Sequence, residues 1–435
     1  MVGKKLYGAF VLLAAAFCFT GCGSVSKQAL NKTFRETETK FQDQTGFVLY
    51  DPVAKKMLYD YHADRYFTPA SNTKIFTFYT SLSVIGDSIP ALKYTQHGDS
   101  LIFWGTGDPS FLYKNVYRDT AVLHFLRTAP GNLYFSPSNF HTAHFGAGWA
   151  WDDYRDYYSP ERSPLPIYGN IATVATAGNT AHIVPPHFND YLRPGELRAK
   201  PEIVRGIETN SFMFYPGQKP VSRTWDIPFH ADHQTIATLL SDTLRRDVTL
   251  CYKPLSAEAR TRYSIPADSL YKVMMQESDN FIAEQLLLIC SGIITGDTLQ
   301  PEKAIRYMQN SLLADLKDKP VWVDGSGLSR YNLFTPRTMV QLWEKIYHLV
   351  PTARLYPLLA TGGKAGTIRN WYKADKPYIF GKTGSLSNNH CLSGYLVTRK
   401  GKTLIFSFMN SNYVATTAEI RKNMQTVLQL IYEKY

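Results

Sequence analysis

Three short segments carry residue types that could do chemistry together: Ser71-Asn72-Thr73-Lys74, Ser278-Asp279-Asn280 and Lys382-Thr383-Gly384. A serine hydroxyl is a poor nucleophile until a base takes its proton, and side chains three positions apart on a helix share a face, so Lys74 can reach Ser71. A lysine serves as base only where burial or a nearby cation lowers its pKa, and Lys382 is the natural cation. The set reads as an acylating serine enzyme with Ser71 as nucleophile and Lys74 as base. Ser278 could relay a proton between Lys74 and the leaving amine, and the Asn280 amide could hydrogen-bond a substrate carbonyl. Lys382 and Thr383 suit a substrate carboxylate, and Gly384 would let the substrate backbone come close. The N–H of Ser385, paired with that of Ser71, would form the oxyanion hole. Each segment has a bland reading when taken alone: a serine capping a helix beside a solvated lysine, an Asx turn or N-cap at Asp279, a simple turn at KTG. The ordered trio is far rarer than its parts.

These residues need elements to hold them. The run SNTKIFTFYTSLSV places Ile75, Phe76, Tyr79 and Leu82 on an apolar pattern and predicts a buried helix opening at Ser71, where the helix dipole and free N–H groups favour developing negative charge. SLYKVMMQESDN and FIAEQLLLIC predict two apolar helices with Ser278 and Asn280 on the loop between them. YIFGKTGSLSNNHCLSGYLVTRKGKTLIFSFMNSN alternates apolar runs with turn residues, as adjacent antiparallel strands do, with Lys382 and Thr383 on an edge strand. FVLYD and KMLYDY around the PVAK turn form a hairpin that the strands near 382–398 and 403–410 should join. Near the C-terminus Ile420, Met424, Val427, Leu428 and Ile431 recur at helical spacing, a helix packed on that sheet. Between about 92 and 262 the text becomes short β-rich segments broken by Pro and Gly (LIFWG, NLYFS, AHIVPP, SFMFYP), an insert with its own sheet. The fold class is α+β, an antiparallel sheet flanked by helices and split by a β-rich inserted domain. The expected division is a leader at 1–21, catalytic parts at 22–91 and 263–435, and the insert at 92–262.

S-x-x-K, S-D-N and K-T-G together are the signature set of penicillin-binding proteins and class A β-lactamases. The chain resembles the low-molecular-mass class C penicillin-binding proteins, the D-Ala-D-Ala carboxypeptidase/endopeptidase family of the penicillin-binding protein 4 type. Matching stretches include GFVLYDPVAKKMLYDYHADRYFTPASNTKIFT, GTGDPSF, GWAWDDYRDYYSPERSPLPIYGN, MMQESDNFIAEQLL, VDGSGLSRYNLFTP and GGKAGTIRNWY. The resemblance implies a transpeptidase-like (serine β-lactamase-like) catalytic domain that cleaves D-Ala-containing bonds in peptidoglycan stem peptides in the periplasm, with β-lactams acylating the same serine. It carries the acyl-forming role to Ser71, the base to Lys74, the second element to Ser278 and Asn280, and carboxylate binding to Lys382 and Thr383. The chain departs from the family pattern at Arg162 and Ser163-Pro164, where small or apolar residues are usual, and at His390-Cys391 beside the KTG strand. Two other readings stay open: a β-lactamase or esterase on the same scaffold, disfavoured in its class A form because no ExxLN-like segment lies between Asn280 and Lys382, and a non-catalytic wall-binding protein that kept the fold.

A chain of 435 residues with 44% hydrophobic and 14% aromatic content can build two or three cores. Its formal net charge of +11 is spread rather than clustered, which suits an anionic wall or membrane surface and not nucleic acid. GTGDPS lacks the Lys-Ser/Thr or third Gly of a phosphate loop and reads as a turn. At the N-terminus Lys4 and Lys5 precede an apolar stretch too short to span a bilayer, and Thr20-Gly21-Cys22 resembles a lipobox with Phe19 in place of the usual aliphatic residue. Cys22 is then the lipidated first residue and the membrane anchor, with ordinary signal cleavage nearby as the alternative. Cys251, Cys290 and Cys391 remain; their odd number argues against a disulfide framework and favours free thiols, with one disulfide open. No HExxH, CxxC or histidine cluster points to a metal, so neither metal nor cofactor is expected.

Overall fold

A computed structural model of the chain describes residues 26–116, 120–178, 180–219 and 221–435. The leader and Cys22 lie outside the described residues. A six-stranded sheet joins the N-terminal and C-terminal segments, in the spatial order Ala360–Thr361, Ile379–Leu386, Asn389–Val397, Thr403–Ser411, Gln44–Asp51, Lys56–Tyr61. Every neighbouring pair is antiparallel, and the N-terminal hairpin joins the C-terminal strands through Gln44↔Ser411 to Tyr50↔Ile405.

The central strands of this sheet are buried on both faces, and the period of two sorts their apolar side chains between two cores. Phe47, Leu49, Leu404, Phe406 and Phe408 enter one core, with the helices Lys27–Phe41 and Thr417–Lys434 packed over them. Val48, Ile405 and Met409 enter the other, beneath Lys74–Val84, Ala267–Gln276, Asn280–Thr295 and Pro336–Leu349. The C-terminal helix buries Ile420, Met424, Val427, Leu428 and Ile431, the set its spacing predicts. Thr416 and Glu419 close its first turn as a capping box.

Between the two chain segments of that sheet the described residues build three more sheets. The largest has five strands in the order Val248–Leu250, Asn132–Phe135, Ser100–Gly105, Ser88–His97, Arg260–Pro266, mixing parallel and antiparallel pairs, and Ser88–His97 and Arg260–Pro266 extend beyond the 92–262 span. Two three-stranded sheets follow, and a separate core runs through this region. The span is not β-rich throughout, because the helices Ala121–Thr128 and His233–Leu244 pack Leu126, Ile236 and Leu240 into that core. Cys290 and Cys391 are buried thiols, Cys251 is half-buried, and none is bridged. Among the described residues no helix is long and apolar enough to cross a membrane.

Candidate active site

Ser71 does not sit at a capped α-helix start. Pro69 leads into one 3-10 turn, Ala70–Thr73, and the α-helix begins at Lys74. Ala70 has φ +49°, a backbone bend that lifts Ser71 toward the cleft while Lys74 points back beneath it. Lys74 Nζ donates to Ser71 Oγ at 2.9 Å, to Asn280 Oδ1 at 2.5 Å and to the Ser326 carbonyl at 2.7 Å. Its side chain is fully buried, and that burial lowers the lysine pKa to about 8, against the opposing charges of Asp324, Glu284 and Asp279. Burial, rather than the expected charge of Lys382, therefore leads the shift.

Ser278 occupies the link between two helices with φ +64°, while Asn280 is already the first residue of the second helix and not a loop residue. Asp279 is its N-cap and accepts from Ile282 N at 2.9 Å, the bland role its sequence suggests. Its other oxygen accepts from Tyr113 Oη at 2.6 Å, tying the link to the segment after Gly105. The Asn280 amide nitrogen donates to the Tyr158 carbonyl at 2.8 Å. Ser278 Oγ accepts from Lys382 Nζ at 2.8 Å; Lys74 has no bond to it. Lys382 is buried and also donates to the Thr383 carbonyl at 2.7 Å; burial, with the charge of Lys74 added, holds its pKa well below that of a free lysine.

Lys382–Gly384 lies on the strand Ile379–Leu386, whose outer neighbour pairs only at Gly381 and Phe380, so the motif is left on an open edge. Thr383 Oγ1 shares a hydrogen bond with Thr367 Oγ1 at 2.7 Å, and Ser385 Oγ shares one with His390 Nδ1 at 2.7 Å. His390 sits on the adjacent strand, and burial, followed by the charges of Arg421 and Lys382, pushes its pKa down to about 3, so the ring is neutral. Gly384 also serves a contact that the sequence reading did not include. A Cβ there would lie 2.3 Å from the Pro69 carbonyl oxygen and 2.9 Å from Asn72 N, so the glycine lets the strand seat against the Pro69–Thr73 turn. Asn72 completes that joint: its Nδ2 donates to the Lys382 carbonyl at 3.1 Å and its Oδ1 accepts from Ser393 Oγ at 2.6 Å.

The three motifs meet at one cleft of about 1230 Å³. Ser71, Ser278, Asn280, Thr383 and Ser385 are on its wall, whereas Lys74, Lys382 and Gly384 stand behind it. A hydroxyl on the wall with a desolvated amine behind it is an arrangement for nucleophilic attack and proton transfer. Sequence reading missed Glu284, Ser326 and Thr367. Glu284 carries a signal in hindsight, as the one acidic residue in an otherwise apolar helical run and one turn after Asn280. Among the described residues no group of three His, Cys, Asp or Glu is placed to hold a metal ion.

Residues 27–202 and 218–433 match the family described as D-Ala-D-Ala carboxypeptidase 3 (S13). The chain is 23% identical to the D-alanyl-D-alanine carboxypeptidase DacB of Haemophilus influenzae, over 88% of each sequence. It superposes on the crystal structure of penicillin binding protein 4 (dacB) from Haemophilus influenzae with a TM-score of 0.77 at 20% identity, covering 92% of this chain and 99% of that one. The same protein complexed with a β-lactam gives a TM-score of 0.69 at 19% identity, covering 92% and 97%. These likenesses carry the transpeptidase-like fold.

Proposed function

Because the chain belongs to the D-Ala-D-Ala carboxypeptidase 3 (S13) family, we propose that Ser71, Lys74, Ser278, Asn280 and Lys382 carry out its serine-type cleavage of D-Ala-containing bonds in peptidoglycan stem peptides. The observation that supports this most is Lys74 Nζ, fully buried and 2.9 Å from a serine hydroxyl that faces an open cleft. Neutral Lys74 takes the Ser71 proton as Oγ attacks the carbonyl carbon of a D-Ala residue. The N–H groups of Ser71 and Ser385 receive the oxyanion. Collapse breaks the peptide C–N bond, and the proton that Lys74 accepted passes through Ser278, which Lys382 holds in place from behind, to the departing amine, leaving Lys74 neutral again. Water then adds to the ester as Lys74 accepts its proton, and collapse releases the shortened peptide as Lys74 returns that proton to Ser71 Oγ.

Thr383 and Ser385 are the wall groups of the third motif. In this reading the Thr383 hydroxyl, set by Thr367, meets the substrate carboxylate, whose negative charge in turn favours the protonated form of the buried Lys382 behind the strand. A β-lactam mimics the D-Ala-D-Ala amide and is expected to stop at the Ser71 ester. Residues 22–91 and 263–435 are read as the catalytic domain around an insert at 92–262, and Cys22 as a lipid anchor in the cell envelope, on the strength of the leader sequence. Purified protein incubated with a pentapeptide stem ending in D-Ala-D-Ala should release free D-Ala, and with a cross-linked muropeptide dimer should yield monomers. Absence of both products from protein with an intact Ser71 would overturn the proposal.

A further inference from the structure

Arg162 is buried in the segment between the two strand groups of the central sheet, and its environment gives it work. It is 2% exposed and pairs with Glu284, 1% exposed, through Nε at 3.0 Å and a terminal guanidinium nitrogen at 2.8 Å, both to Glu284 Oε2. A buried ion pair is commonly no more stabilising than apolar residues of the same volume, so stability alone is a weak reason to keep one. The other carboxylate oxygen, Oε1, accepts from Ser326 N at 2.7 Å, and the carbonyl of that same Ser326 accepts from Lys74 Nζ at 2.7 Å. One residue therefore has the carboxylate at its nitrogen and the base at its carbonyl oxygen, the two groups belonging to the consecutive peptides on either side of the Ser326 Cα.

The surroundings leave the backbone on either side of Ser326 little freedom. A Cβ on Gly325 would lie 2.7 Å from the Ala283 carbonyl, and one on Gly327, at φ +85°, would lie 1.9 Å from the Ala70 carbonyl, so the loop is wedged between the Asn280–Thr295 helix and the nucleophile turn. Thr77 Oγ1 donates to the Gly325 carbonyl at 2.7 Å. Asp324 accepts from Gly327 N at 2.9 Å, Ser329 N at 2.7 Å and Trp149 Nε1 at 2.9 Å. Arg162 lies 5.2 Å from the Trp149 ring centroid, and its N–H donates to the His144 carbonyl at 2.8 Å. Gln285 fixes the next residue, accepting from Ser163 N at 3.2 Å and donating to its carbonyl at 2.9 Å.

We propose that the Arg162–Glu284 pair is a positioning device for the base, in which a residue from the segment between the catalytic halves clamps a carboxylate that anchors the backbone at Ser326, whose carbonyl holds Lys74 Nζ against Ser71. The inference rests on the reading of Ser71 as nucleophile and Lys74 as base. The charged groups facing Lys74 are Glu284, Asp324 and Asp279 from one side and Lys382 from the other; those facing Glu284 are Arg162, Asp324 and Lys74.

The test is the pH profile of acylation by a fluorescent penicillin, followed by stopped flow on the full-length protein. Glu284→Gln keeps an oxygen for Ser326 N and removes one negative charge facing Lys74, so the midpoint of the acid limb should fall by about one pH unit with a nearly intact plateau. Glu284→Ala also frees the backbone at Ser326, and its plateau rate should fall by roughly ten- to a hundred-fold. Arg162→Met should lower the plateau similarly, while Arg162→Lys, which keeps the charge, should recover most of it. An unmoved midpoint in Glu284→Gln, or a wild-type plateau in Glu284→Ala, overturns the proposal; should Arg162→Met fail to fold, those two variants decide. A wild-type protein that never acylates would instead defeat the nucleophile reading itself, so the two failures are distinguishable.

Discussion

Replacing Gly384 by alanine perturbs the joint between the KTG strand and the Pro69–Thr73 turn that carries Ser71. The added methyl would begin 2.3 Å from the Pro69 oxygen and 2.9 Å from Asn72 N, against an ordinary contact of about 3.5 Å. Something must yield by about an ångström. The strand is paired to its inner neighbour from Ile379 through Leu386, so it is the stiffer partner, and the Pro69–Thr73 turn, entered through the left-handed Ala70, is the part that gives. Overpacking of this kind costs about 1 to 3 kcal/mol of stability. A displacement of an ångström at a nucleophile costs roughly a hundred-fold in rate. Acylation by a fluorescent penicillin should therefore fall by about two orders of magnitude in Gly384→Ala, with a folded circular dichroism spectrum and a modestly lowered Tm. Gly86→Ala is the control, since a Cβ there meets nothing within 4 Å, and it should acylate as wild type does. A Gly384→Ala variant that acylates at the wild-type rate would refute the claim that this glycine seats the strand on the turn.

Other outcomes follow from the same geometry. With Lys74 at about 8, its amine is protonated and unable to accept at lower pH, so acylation should climb about tenfold per unit below that value and level above it; a flat stopped-flow profile through neutral and mildly alkaline pH would remove Lys74 as base. Thr383→Val should reduce release of D-Ala by roughly ten- to a hundred-fold, the worth of a hydrogen bond to a charged group, and should matter little for a peptide whose terminal carboxylate is amidated. Equal losses on free-acid and amidated substrates would mean that Thr383 shapes the strand rather than meeting the carboxylate. Cys22→Ala should leave the protein unlipidated and shift it out of the membrane fraction on ultracentrifugation; undiminished membrane recovery would count against the anchor.

What the sequence made legible follows the range of the interactions involved. Ser71 and Lys74 are one turn apart, and the hairpin around PVAK and the Ile420–Ile431 stripe are local periodic patterns, so short-range rules reach them. The meeting of SDN and KTG with the serine depends on strand order, and was inferred from the rarity of the trio rather than from spacing. Local geometry was harder: Asn280 opens a helix because Asp279 beside it is an efficient N-cap, and the 3-10 turn under Ser71 arises from the bend at Ala70, which no propensity of alanine suggests. The helix His233–Leu244 carried a usable start signal, since Asp232 accepts from Thr235 N at 2.8 Å, but Pro-bounded strand patterns on both sides drew the reading toward β structure. Least legible were the contacts made across the fold. Gly384 meets a turn more than 300 residues earlier, and Arg162 meets a carboxylate on a distant helix, pairings that a single sequence does not encode by spacing.

The central claim is that Ser71 forms a covalent acyl-enzyme with Lys74 as its base. It is tested most directly by incubating the protein with benzylpenicillin, digesting it and locating the adduct by tandem mass spectrometry. The adduct should map to the hydroxyl of Ser71, vanish in Ser71→Ala, and form orders of magnitude more slowly in Lys74→Ala, with the double variant little worse than either single one. An adduct on another residue, or one that persists in Ser71→Ala, would contradict the account.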